Sequence, residues 1–162
     1  MKTVSSYMVR IVVVTVMIIS PVSAHHSFSM YDSSITYTFT GVVMNVNPDP
    51  GHLQILFVPL NDERDALVRD VNDERVVWSV EMESASMSAR EGITPSNFER
   101  GTVISVSLMP LRNGNPGGSR MSALFRCPQD SPPVSGMHCD SVAGSTQHGE
   151  GELATRAQVW NP

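Results

Sequence analysis

The residues best suited to chemistry stand together near the start of the chain, in Ala24-His25-His26-Ser27-Phe28. A chain cut after Ala24 begins with a histidine, whose free amine and ring Nδ1 together grip one metal ion. Copper(II) prefers such tetragonal nitrogen sets and binds them more tightly than other divalent first-row ions do. The amine has an ordinary pKa of about 7.7–8.0, so binding at neutral pH displaces a proton. A further imidazole, from His26 or His52, would complete the set. The expected metal residues are therefore His25, His26 and His52, and the expected ligand is copper(II). The plainer reading of the same pair is two exposed polar residues following a cut.

Other chemistry finds less support. Ser27, His26 and Asp32 supply the residue types of a hydrolytic triad, but no nucleophile elbow or oxyanion-hole signature accompanies them. A copper oxygenase can use the same N-terminal grip, yet neither a substrate surface nor a poised axial ligand is legible. No catalytic residue is expected. The ten methionines are dispersed, unlike the clustered soft ligands of a copper(I) carrier.

A free amine at His25 requires processing, and residues 1–24 have the layout of a removable export signal. Lys2 and Arg10 are positive, Ile11 to Ile19 is apolar, Ser20-Pro21 breaks the run, and Val22-Ser23-Ala24 forms the cutting site. The apolar run is far shorter than the roughly 20 residues of a spanning helix. The expected address is the periplasm, with no stable membrane insertion after cleavage. Residues 25–35 then form an N-terminal arm.

The 162 residues carry 11 basic and 16 acidic side chains, a net charge of −5. Loss of Lys2 and Arg10 leaves nine basic residues and a net charge of −7, without a single lysine. Nucleic acid is a poor partner for such a surface, because phosphate binding needs clustered cations. No protein partner can be named. Cys127 and Cys139, in an oxidising compartment, are expected to form a disulfide around a loop without regular structure. The competing reading makes Met137, His138 and Cys139 soft metal ligands.

The elements that must position these groups are mostly strands. Thr38 to Val46 is rich in β-branched and aromatic residues, and Gly41 in its middle marks a bulge or tight bend. A turn at Asn47-Pro48-Asp49-Pro50-Gly51 leads to a second strand, His52 to Pro59. Asn61 to Glu74 is an acidic connector in which Asn-Asp-Glu-Arg occurs twice, at 61–64 and 72–75. The third strand, Arg75 to Met82, places Val76, Trp78, Val80 and Met82 on one face. Ser84 caps a short helix ending near Arg90, with Gly92 beyond it. The fourth strand runs from Thr102 to Leu108, with Ile104, Val106 and Leu108 inward. Arg112 to Gly118 is a turn-rich link, and Arg120 to Arg126 is the fifth strand. Three strands, a short helix and two strands is the order of an OB-type barrel. The expected fold is all-β with one short helix: a small five-stranded OB-type barrel over 36–127, followed by a disordered Pro, Gly and Ser-rich tail over 128–162.

These residues also resemble a known family. Ala24-His25-His26-Ser27-Phe28, Thr40-Gly41-Val42-Val43, Asn47-Pro48, Trp78-Ser79-Val80-Glu81, Arg90-Glu91-Gly92, Arg100-Gly101-Thr102-Val103 and Pro110 followed by Asn113-Gly114 are similar to the exported bacterial DUF6152 family. The resemblance spans about 24–126 and implies a fold and an export address, but no activity. Two function classes follow from the residues. One is a periplasmic module that binds or handles copper through its N-terminal histidine. The alternative is a metal-free OB-type binding module for a small ligand or a protein partner. Export with cleavage after Ala24 predicts that the intact mass of periplasmic protein equals that of residues 25–162; a mass matching 1–162 removes the chelate.

Overall fold

The computed structural model describes residues 28–129 and 131–160. The expected export signal, its cut after Ala24, and the expected metal residues His25 and His26 lie outside them. Five strands form the barrel: β1 (Tyr37–Asn47), β2 (Gln54–Pro59), β3 (Trp78–Glu81), β4 (Val103–Pro110) and β5 (Gly117–Arg126). The helix α1 (Ala85–Arg90) lies between β3 and β4, and a short strand β6 (Thr146–His148) follows. The order is β3-β2-β1-β4-β5-β6, and a parallel β3–β5 pairing closes the five strands into a mixed barrel of the expected OB type. The other neighbouring pairs are antiparallel.

Alternation along the strands fills the interior. Phe39, Val43, Ile55, Phe57, Trp78, Val80, Ile104, Val106, Leu108 and Leu124 form one buried cluster, joined by Ile93 and Phe98 from the segment after α1. Ser84 begins α1 by accepting a hydrogen bond from Met87 N at 3.4 Å, and Gly92 follows its end with φ +77°.

Two glycines make the closure possible. A Cβ on Gly118 would meet Met109 O at 2.4 Å and Leu108 Cδ1 at 2.6 Å, so only glycine fits where β5 runs against β4 and β3. Gly41 is equally tight, with Phe57 Cδ2 at 2.6 Å and Val58 O at 2.7 Å from such an atom. It stands where β1 pairs with β2 and β4 at once. The bulge expected there lies a turn of the strand later, between Val43 and Asn45.

Several boundaries differ from the sequence reading. β5 starts at Gly117, inside the expected turn, because those glycines allow the backbone to approach β3. β3 starts at Trp78, because Arg75 and Val76 pair back along the connector instead, through the Arg69–Arg75 bridge and Val76 N donating to Val68 O. The two Asn-Asp-Glu-Arg copies adopt different backbones. Positive φ falls on Arg64 in the first and on Asp73 in the second.

The stretch 128–162 has little regular structure, as expected; among its described residues are one 3-10 turn at Cys139–Ser141 and the three residues of β6. The sequence did not reveal how closely this tail lies on the barrel. The Cys127–Cys139 disulfide is present and brings its first loop back to β4. Thr40, Ser105 and Ser107 point outward from β1 and β4, yet they are 1, 0 and 0 % exposed because the tail covers them. Thr40 Oγ1 and Ser105 Oγ share a hydrogen bond of 2.7 Å, and Thr38 Oγ1 and Ser107 Oγ one of 2.8 Å. Cys139 N then donates to Ser105 Oγ at 2.9 Å, and Ala154 N donates to Ser107 Oγ at 2.8 Å. At the far end Trp160 sets its ring edge-to-face on Phe39 and Trp78, with centroids 5.7 and 5.3 Å away.

Trp78 is 2 % exposed, and its Nε1 has no partner among the described residues. Its whole contribution is therefore packing. Trp78→Ala is expected to destabilise the fold by about 3–5 kcal/mol in chemical denaturation, as large core truncations do.

Candidate functional site

His52 is the expected metal residue that falls within the described part. It precedes β2, and Leu53 beside it is buried. Leu53 N donates to Glu83 O at 3.1 Å and Leu53 O accepts from Met82 N at 2.8 Å, which carries the β2–β3 ladder past its formal end. This pairing sets His52 over the end of β3. Its Nδ1 lies 3.4 Å from Glu81 Oε1 and 3.4 Å from Met82 O. Both neighbours are acceptors, so Nδ1 is the ring nitrogen that donates toward them. A carboxylate or carbonyl behind one ring nitrogen is how metal-binding histidines are usually oriented.

Glu81 has a second partner. The Tyr31 phenol hydrogen-bonds to it, and burial, followed by the Glu81 charge and this bond, raises the phenol far above its ordinary pKa. Tyr31 therefore remains a protonated donor at any physiological pH. It belongs to the N-terminal arm, which is fastened to the β4–β5 link. Phe28–Met30 make one 3-10 turn, Tyr31 bridges to Leu111, and Asp32 N donates to Pro110 O at 2.8 Å. Arg112 adds its N to Met30 O and its Nε to Ser29 O, at 2.9 and 3.0 Å. Asp32, rather than serving a triad, accepts from Ser34 and lies 3.8 Å from Arg112. The structure thus places the arm, Glu81 and His52 in one chain of contacts. Among the described residues no three of His, Cys, Asp or Glu are grouped as a metal set.

In the sequence Glu81 stood out only as the last residue of the Trp78-Ser79-Val80-Glu81 motif shared with the family, and Tyr31 carried no signal. The Met137-His138-Cys139 alternative is overturned. Cys139 is in the disulfide, and His138 Nδ1 is 2.7 Å from Thr40 Oγ1.

Between the tail and the loop after β2 runs a groove of about 710 Å³. Phe39, Thr40, Arg64, His138 and Trp160 are among its lining residues. Arg64 donates from Nε to Met137 O at 2.9 Å and from Nη1 to Asn61 O at 2.8 Å. A smaller, more polar cavity of about 360 Å³ lies between Arg100, Arg126 and the segment after the disulfide.

The tail also carries His148. Its Nδ1 lies 2.9 Å from Glu91 O and its ring meets Phe98 edge-on at 4.8 Å. The Glu91 carboxylate in turn binds Arg120 Nη2 at 2.7 Å. Burial is the main cause that holds both His138 and His148 below the ordinary imidazole pKa; Arg64 adds to it at His138, and Arg126 and Arg120 at His148.

The chain belongs to a family of unknown function, DUF6152, which matches residues 13–120. That span contains β1 to β4, the start of β5 and the arm, and leaves the tail outside. No curated protein and no solved structure matches the chain.

The two depressed histidines make stability depend on pH. Each binds a proton less readily folded than unfolded, so their contribution is full above the unfolded value of 6.5 and is lost as pH falls below it. The melting temperature is expected to drop between pH 7 and pH 5, and His148→Gln should flatten part of that slope.

Proposed function

We propose that this DUF6152 protein is exported to the periplasm, cut after Ala24, and binds one copper(II) ion through the His25 amine and imidazole with His26 or His52. The observation that carries this reading is the Tyr31–Glu81–His52 chain. It ties the arm to the strand end on which His52 sits and turns Nδ1 of the ring toward acceptors. Tyr31 is six residues after His25, and six residues reach at most about 20 Å when extended, a span compatible with a site that His25 and His52 share. Both first-row nitrogen types are suited to copper(II), and a site that is largely imidazole and amine supports holding or passing on the ion.

A second reading, the metal-free OB-type binding module, is favoured by the groove beside the tail. A free amine separates the two. Processed protein should bind one copper(II) per chain. A form acetylated at the His25 amine keeps all the imidazoles but loses the amine donor, so it should bind more weakly and with an altered visible spectrum. Glu81→Gln should weaken binding by about 10–100-fold, as loss of an orienting carboxylate does. Unchanged affinity and spectrum after acetylation of that amine would discard the copper reading and leave the binding module.

A further inference from the structure

The lining of the groove beside the tail holds two unlike groups, and together they describe a ligand. One is aromatic. Trp160 and Phe39 are in it, and their rings pack against each other at 5.7 Å. The other is cationic. The Arg64 guanidinium is half-buried, and the carbonyl oxygens of Met137 and Asn61 fix its plane. Those two bonds occupy two of its five N–H donors. No carboxylate is within ion-pair distance of it among the described residues.

The backbone supports a function for this arginine. Arg64 has φ +65°, in the left-handed region that costs energy for a residue with a Cβ. Such a conformation persists only where the surroundings impose it, and Arg64 is among the residues that line the groove. His138 lines the same groove, with Nδ1 directed at Thr40. Asp62 and Asp140 also line it from exposed positions, where water weakens their charge without removing it.

We propose that this groove binds a small aromatic monocarboxylate, with its ring against Trp160 and Phe39 and its carboxylate on Arg64. A guanidinium fork matches a carboxylate in two parallel hydrogen bonds, which a neutral acceptor cannot reproduce. The rim aspartates act against a second negative charge, so a monoanion is favoured over a dianion. The proposal rests on the binding-module reading and is independent of copper.

Calorimetric titration of the disulfide-intact protein, with a chelator present, tests it with benzoate, benzamide and phthalate as probes. Benzoate should bind saturably at one site per chain, and benzamide and phthalate about tenfold more weakly or worse. Arg64→Asn, chosen because asparagine tolerates positive φ, should bring benzoate down to the benzamide level. Trp160→Leu should weaken all three ring probes together. Equal affinity for benzoate and benzamide, or native benzoate affinity in Arg64→Asn, would overturn the carboxylate assignment. Absence of saturable benzoate binding would overturn the site. The comparison of the three probes on native protein decides the matter even where a variant fails to fold. The chelator keeps copper out of every titration, so failure here leaves the N-terminal reading to its own test.

Discussion

Three residue pairs close this molecule. Ser79, Val80 and Glu81 on β3 lie beside Gly117, Gly118 and Ser119 on β5, in the barrel's parallel pairing. Parallel pairing of short strands is weaker per residue than antiparallel pairing, so this seam depends on close backbone approach. Gly118 provides it, since any side chain there would strike Met109 O and Leu108. Without the seam, the sheet would have open edges at β3 and β5, and the core residues Trp78 and Val80 would lose one of their neighbouring strands. The same seam carries Glu81 to the place where Tyr31 and His52 reach it. The arm, too, docks on Leu111, which pairs with Gly117 at the start of the seam through Leu111 N donating to Gly117 O.

The tail solves a different problem. The outer faces of β1 and β4 carry Thr38, Thr40, Ser105 and Ser107, which form a row of paired hydroxyls. Hydroxyls pair equally well with water, so this row does not by itself demand a cover. The tail supplies one all the same, and each hydroxyl it buries has a partner: His138 for Thr40, Cys139 N for Ser105 and Ala154 N for Ser107. Burial of polar groups is tolerated when all are hydrogen-bonded. The disulfide starts this cover from β4, and β6, His148 and Trp160 continue it around the barrel. The family match stops before it, at residue 120. The groove beside Arg64 is made by this addition, with its walls drawn from both the barrel and the tail.

The two candidate regions are therefore of different kinds. The copper reading uses the arm and the β3 end, which fall within the family span. The groove uses the tail, which does not. A charge balance of −5 over the whole chain sets the background for both. It suits an N-terminal site that attracts cations.

The barrel was readable from the chain because strand alternation reports burial directly. Val76 aside, the inward residues assigned to the third and fourth strands are all buried: Trp78, Val80, Met82, Ile104, Val106 and Leu108. Ser84, Gly92 and the strand-helix-strand order placed the helix, because capping and turn chemistry are local. The disulfide pairing followed from there being only two cysteines. The sequence alone also raised His25, His26 and His52 as a set, since the grip of an N-terminal histidine is a property of the residue and of the cut before it. What only the tertiary structure decided is non-local. Tyr31 meets Glu81, His138 meets Thr40 and Arg64 reaches Met137 O across 50, 98 and 73 positions of the chain. Periodicity cannot register such contacts, because the tail has none and Gly, Ser and Pro read alike in a loose segment and in a docked one. The hydroxyls of β1 and β4 alternate as solvent-facing residues should; whether water or another part of the chain faces them depends on where residues far along the sequence come to rest.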